Sequence, residues 1–129
     1  MFLIDSDVLI DVSRGNAAAI QYVDGLTESW AISRVTSLEL IVGARDKREV
    51  VVINSFLSLY SVVPLSPAIG DKAYVLLQSY AKSHGLHVFD SLIAATALEE
   101  DLTLLTLNRK HYQMIEGLKL QVADYRASI

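Results

Sequence analysis

Cysteine is absent from the 129-residue chain, so neither a disulfide framework nor a thiolate metal site can hold it together. Its stability has to come from a hydrophobic core, and a chain of this length can build one without staples. The same absence suits a reducing compartment. No apolar run approaches the ~20 residues that cross a bilayer. The opening stretch MFLIDSDVLIDV has no basic flank and meets acids at once, unlike a secretory signal. The expected location is the cytoplasm, and no membrane partner is expected. Basic charge is also scarce: 11 Lys and Arg stand against 15 Asp and Glu, a net charge of −4. That argues against a protein that grips nucleic acid by electrostatics alone. It leaves room for an acidic pocket that meets a polyanion through metal ions.

Apolar residues are what the chain has in excess. They make up 52% of it, above the usual ~45–50%. A small domain with that surplus is expected to hide part of it against a partner or a second copy. There is no internal repeat, low-complexity stretch or long linker, so residues 1–129 are read as one domain.

Phe2-Leu3-Ile4 has the short apolar run of a buried parallel strand. Val8 to Ser13 reads as a helical turn closed by Gly15, and Ala17 to Val23 as a helix with Asn16 as its N-cap. Trp30 to Ser33 is a second strand and Val35 to Ala44 a helix. The run Val50 to Ile53 favours a strand by its β-branching, but Phe56, Leu57 and Tyr60 continue at helical spacing, so helix is chosen. Ser61 to Val63 is a third strand. Pro67 opens a long helix that Gly85 stops. Ser91 to Glu100 is a helix, Leu104 to Leu107 a fourth strand, Arg109 to Ile115 a short helix and Leu118 to Val122 a fifth strand. Strands alternating with helices predict an α/β fold, a parallel five-stranded sheet with helices on both faces. In such sheets ligands bind beyond the carboxyl ends of the strands.

Polar residues stand at those ends. Asp5 follows the first strand and Asn108 the fourth. Glu39 lies in the helix after the second strand, beside the apolar stripe of Val35, Leu38 and Val42. Asp90 lies at the start of the helix that leads into the fourth strand. Taken singly, each has a plain structural reading: Asp5, Asp90 and Asn108 suit helix caps, with Phe89 stapled to Ala94, and Glu39 suits the wet margin of its stripe. Taken together, carboxylates crowded at one sheet end repel each other, and a shared divalent cation relieves that. Mg2+ takes oxygen ligands and uses only one or two carboxylates directly. It also lowers the pKa of bound water toward use as a nucleophile.

The blocks FLIDSDVLIDV, ISRVTSLELIVGA and VFDSLIAATALEEDLTLLTLNRKHYQMIEGLKL resemble the PIN-domain ribonucleases, and within them the VapC-type toxins of toxin–antitoxin pairs. The resemblance runs over nearly the whole chain. It implies a three-layer α/β/α sandwich and an endoribonuclease that hydrolyses RNA phosphodiester bonds with Mg2+ or Mn2+. Carried over by position, the catalytic set is Asp5, Glu39, Asp90 and Asn108, with Asp5, Asp90 and Glu39 as metal ligands. The fourth family position holds Asp or Asn, and here Asn108 adds no charge. Ser6, Asp7 and Thr106 match supporting positions; Asp7 stands where the family often has Asn, and its carboxylate can stand in for the missing fourth acid. The resemblance also implies a VapB-type antitoxin that places a basic side chain in the acidic pocket, and a homodimer. The faces assigned to the homodimer are Val51 to Tyr60 and Ala73 to Tyr80.

RNA must still approach an acidic domain. Arg14, Arg34, Arg45, Lys47, Arg48, Arg109 and Lys110 fall near the predicted site edge and are candidate phosphate contacts. Asp11, one turn beyond Asp7, reads as outward-facing solvated charge. His84 and His87, with His111 far along, suggest zinc, but a Gly turn between the first two does not hold them at ligand spacing. Two rival readings use the same acids. DSDVL also looks like the D-x-D motif of haloacid-dehalogenase-type phosphatases, with Asp5 as nucleophile. A non-catalytic module that keeps the fold and binds RNA or antitoxin is the other.

Overall fold

Phe2–Ile4 forms β1, a strand buried along its whole length. Successive side chains of a strand point to opposite faces, so Leu3 enters one core while Phe2 and Ile4 enter a second. A strand buried on both faces has no room for polar residues until it ends, and the first one after Ile4 is Asp5. The computed structural model of the chain describes residues 1–126.

Four strands join β1: β2 (Trp30–Ser33), β3 (Val62–Val63), β4 (Thr103–Thr106) and β5 (Leu120–Val122). All neighbours pair in parallel, in the order β3-β2-β1-β4-β5. The chain therefore builds outward from β1 to β3, then returns to place β4 on the other side of β1. The strand order reverses between β1 and β4, and that is where parallel sheets open a ligand crevice.

Among the described residues six helices cover the sheet: α1 (Ser6–Ser13), α2 (Ala17–Asp24), α3 (Arg34–Val42), α4 (Lys47–Leu57), α5 (Pro67–His84) and α6 (Val88–Glu99). Two 3₁₀ turns follow, at Arg109–His111 and Asp124–Arg126. Ile69, Ala73 and Leu76 of α5 and the Ala-rich face of α6 pack on Leu3 and Leu104. Val8 and Leu9 of α1, Val23 of α2 and Leu57 of α4 pack on Ile4, Ile32 and Leu105 on the other face. Helix α3 serves both, with Val35 in the first core and Leu40 in the second. This is the three-layer sandwich expected. Among the described residues no helix is long and apolar enough to cross a membrane.

Caps explain most helix boundaries. Asp46 accepts from the Glu49 N–H and starts α4, which turns the β-branched run Val50 to Ile53 into helix rather than strand. Ser66 caps α5 with Pro67 in its first turn, and Gly85 stops it at φ 70°, a left-handed conformation costly for other residues. The two faces assigned to self-association feed opposite cores; Val51, Val52 and Leu59 stay exposed on one, and Tyr74 and Val75 on the other.

Several expectations shift. Helix α1 begins at Ser6, not Val8, because Asp5 caps it. Helix α6 begins at Val88, not Ser91; His87 takes the cap position, so Asp90 is no cap and its carboxylate is released for other contacts. Phe89, the staple expected of that cap, is 58% exposed. Arg109 starts only a 3₁₀ turn ending at His111, and β5 begins at Leu120.

Candidate active site

The crevice between β1 and β4 holds Asp5 at the first strand's end. Its Oδ1 accepts from the Ser6 N–H at 2.8 Å, and its Oδ2 accepts from the Thr106 hydroxyl at 2.8 Å. Asp5 thus caps α1 and also faces Thr106 across the switch point. Asp5 is only 6% exposed. Burial, with Asp7 adding repulsion, pushes its carboxyl up to about 7, against the pull of the Thr106 and Ser6 hydrogen bonds.

Asp7 lies in the first turn of α1. Its Oδ2 accepts from the Leu107 N–H at 3.1 Å and stands 3.2 Å from Thr106 Oγ1, while its Oδ1 accepts from the Val8 N–H. Burial raises its pKa, against those hydrogen bonds. Thr106 has a single hydroxyl hydrogen and also accepts from the Asn108 N–H. It therefore satisfies Asp5 at the shorter distance and leaves the Asp7 oxygen beside it with the Leu107 N–H as its donor.

Glu39 reaches the crevice from α3. Ser6 Oγ donates to Glu39 Oε1 at 2.8 Å and lies 3.0 Å from Thr36 Oγ1. A carboxylate only accepts, so the Ser6 hydrogen goes to Glu39 and Thr36 donates in turn to Ser6. Partial burial raises the Glu39 pKa, with Asp90 and Asp7 repelling its charge.

Asp90 comes from the first turn of α6. The hydroxyl of Tyr112 donates to its Oδ1 at 3.1 Å, and His111 Nδ1 stands 3.4 Å from its Oδ2. Tyr112 is fully buried. Burial, then Asp5 and Asp90, raise its pKa, so its hydroxyl stays a donor. Asn108 turns its amide to His111 Nε2, 3.1 Å away. Tyr112 and His111 were not assigned roles from sequence, although both stand in the NRKHY block; their contacts with Asp90 span the β4 connection and leave no local signature.

Asp5, Ser6, Asp7, Glu39, Asp90, Asn108, His111 and Arg126 line one open cleft of about 430 Å³, with Ile10 and Leu107. Thr106 is buried behind Asp5 and holds it through its hydroxyl. Among the described residues no cationic side chain forms an ion pair with Asp5, Asp7 or Glu39. A second, larger groove of about 570 Å³ runs between α1, α3 and α4 and shares Ile10 and Glu39 with the cleft; Arg14 and Arg45 line it. Arg34 instead hydrogen-bonds Ser37 Oγ and borders a different hollow. Lys47, Arg48, Arg109 and Lys110 are exposed. His84 Nδ1 lies 2.7 Å from Ser83 Oγ, and His87 stands at the exposed start of α6.

Asp11 corrects an expectation. It is not solvated charge: it is 9% exposed and accepts from the Tyr125 hydroxyl at 2.7 Å and from Arg126 at 2.6 to 3.1 Å. These partners lie at the far end of the described chain, beyond the reach of helical spacing.

The donor set fits a hard divalent cation. The oxygens are carboxylates, three of the acids have raised pKa values that a cation would bring down, and the cleft is open to solvent waters. Among the described residues no three acids or histidines form a ready-made cage.

Comparison with known proteins gives the same direction. A family model described as the PIN domain matches residues 2–116. Ribonuclease VapC10 of Mycobacterium tuberculosis is 40% identical over 124 residues, covering 92% of this chain and 91% of that protein. Ribonuclease VapC19 of the same species is 33% identical, covering 92% and 98%. A chain of a toxin-antitoxin complex from Klebsiella pneumoniae superposes with a TM-score of 0.79 at 28% identity, covering 95% of this chain and 98% of that one. The phosphatase reading of DSDVL falls away, because the PIN-domain model spans that stretch and most of the chain. By its crossover order, its strand-end acids and these relatives, the chain belongs to the PIN-domain family and, within it, to the VapC group.

Proposed function

We propose that this chain is a divalent-metal-dependent endoribonuclease and the toxin of a toxin–antitoxin pair. The observation that carries the reading is the gathering of Asp5, Asp7, Glu39 and Asp90 in one cleft with so little compensating positive charge. One buried acid and three half-buried ones left unneutralised are costly, and a fold keeps them when a bound cation repays the cost. The names of its relatives, ribonucleases VapC10 and VapC19, support RNA as the substrate.

Asp5, Asp90 and Glu39 would hold Mg2+ or Mn2+, with Asn108 offering a neutral oxygen. The bound ion would supply an acidified water and a positive charge beside the scissile phosphate. The chain's own work is orientation. Ser6 holds Glu39, Thr106 holds Asp5, and Tyr112 holds Asp90. Each keeps its acid aimed into the cleft before substrate arrives, so little reorganisation is left for the reaction. Asp7 supplies the negative charge that Asn108 lacks.

The groove between α1, α3 and α4 would receive the antitoxin. Its floor of Leu40, Ile53 and Phe56 is apolar, its rim carries Arg14, Arg45 and Glu49, and it opens at Glu39 into the cleft. A segment lying there could end with a basic side chain among the acids. The exposed Val51, Val52, Leu59, Tyr74 and Val75 support self-association as a homodimer.

The test incubates the partner-free protein with total cellular RNA in Mg2+, Mn2+ or EDTA, beside Asp90→Asn. Fragments that need metal and vanish in the variant are expected. Intact RNA in every arm, with a folded protein and no heat of Mn2+ binding, would reject the nuclease and leave a binding module.

A further inference from the structure

Arg126 lines the acidic cleft although nothing in the local sequence aims it there. Its guanidinium is clamped from one side. Nη2 donates to both oxygens of Asp11, at 2.8 and 2.6 Å, and Nε donates to Oδ2 at 3.1 Å. Asp11 sits on α1 with its side chain 12% exposed, whereas that of Arg126 is 60% exposed. One face of the pair is therefore anchored in the protein and the other is open. Nη1 makes no hydrogen bond among the described residues.

We propose that Arg126 is a phosphate-binding residue of this cleft, with Asp11 as its positioning residue; the assignment rests on the ribonuclease reading above. An RNA strand that lays a phosphate among four carboxylates needs a fixed positive group beside it. Arg126 is the permanently charged cation among the cleft-lining residues. Arg14 and Arg45 line the neighbouring groove instead, and Arg45 is bound to Glu49. Arginine suits the task because its planar fork can grip a carboxylate through one edge while another N–H meets a phosphate. A lysine held by Asp11 would have its one charge centre engaged. The clamp also orders the side chain before substrate binds, which removes part of the entropy cost of contact. Asp11 is thus a buried acid whose use is to aim a cation, not to bind metal.

The experiment uses the full chain carrying Asp90→Asn, which stops cleavage, and a fluorescein-labelled single-stranded RNA followed by anisotropy over a KCl series. Arg126→Ala is expected to weaken binding severalfold and to lower the slope of log affinity against log salt by about 0.7, the value of one lost phosphate contact on a single strand. Arg126→Lys weakens binding and loses part of the slope, because its single charge centre is shared between Asp11 and the phosphate. Asp11→Asn keeps the slope but weakens binding, because Arg126 stays charged but is no longer aimed. Should Arg126→Ala lose its circular dichroism signal, Arg126→Gln, which keeps one donor toward Asp11, takes its place with the same expected slope. A folded variant with a lower melting temperature and an unchanged slope overturns the assignment and leaves Arg126 as a structural partner of Asp11. If the unaltered chain cuts no RNA and the Asp90→Asn chain binds none, the ribonuclease reading and this assignment both fail. If the unaltered chain cuts RNA and the slope does not move, only this assignment fails.

Discussion

Asp5 and Thr106 are 101 residues apart in the chain and joined by a 2.8 Å hydroxyl-to-carboxylate hydrogen bond in the fold. One follows β1 and the other ends β4, the two strands between which the sheet order reverses. The bond thus ties the site's most buried acid to the crevice that the topology opens.

Removing that hydroxyl should loosen the acid without disturbing the strand. Thr106→Val keeps the shape and leaves Asp5 Oδ2 without its donor. Loss of a group that orients a ligand costs roughly 10–100-fold in metal affinity or activity. A calorimetric Mn2+ titration should show that loss in Thr106→Val and near-normal affinity in Thr106→Ser. Equal affinity in all three proteins would remove Thr106 from the site.

The raised carboxyl of Asp5 makes the metal-free protein sensitive to pH. Its ordinary value is 3.8 and its value in the fold is about 7. Below about 4 it is protonated whether folded or unfolded, and burial costs it nothing extra. Between about 4 and 7 the unfolded chain releases a proton that the folded chain keeps, so stability falls as pH rises. Asp7 and Glu39 are shifted in the same direction. Melting temperatures in EDTA should therefore drop across that window, by the equivalent of a few kcal/mol at most. Asp5→Asn should flatten the drop, and Mn2+ should reverse it near neutrality. A metal-free protein whose stability rises over the same range would contradict the burial of these acids as ionisable groups.

Tyr112 offers a cleaner test of how Asp90 is held. Tyr112→Phe deletes one hydroxyl from a fully buried ring and leaves Asp90 Oδ1 without that donor. A loss of about 1 kcal/mol in urea unfolding is expected, with a larger proportional loss of RNA cleavage. Full activity at reduced stability would confine Tyr112 to the core.

The groove can be separated from the cleft. Val52 lines the groove and is 63% exposed, so Val52→Glu adds charge where little packing is lost. RNA cleavage by the isolated protein should be unchanged. Co-purification with the cognate antitoxin should weaken, as read by the fraction retained at equal expression. Unaltered capture would place the antitoxin elsewhere.

The sequence by itself carried the alternation of strands and helices, the parallel sheet, and the strand-end position of Asp5. It also held the helical choice for Val50 to Ile53, where the spacing of Phe56, Leu57 and Tyr60 outweighs β-branching. These are local quantities. Apolar periodicity, caps and Gly or Pro stops act over a few residues and can be read there. Helix starts were less legible: α6 opens at Val88 before any capping side chain, which moved Asp90 from a cap to a first-turn carboxylate that meets Tyr112. What only the tertiary structure decided is which side chains meet. The return of the chain to place β4 beside β1 brings Thr106 to Asp5 and Tyr112 to Asp90. The last described residues fold back onto α1 and turn Asp11 into an anchor for Arg126, 115 residues away. Each residue type is compatible with many partners, and the partner is chosen by strand order and crossover path, which no short window of sequence contains.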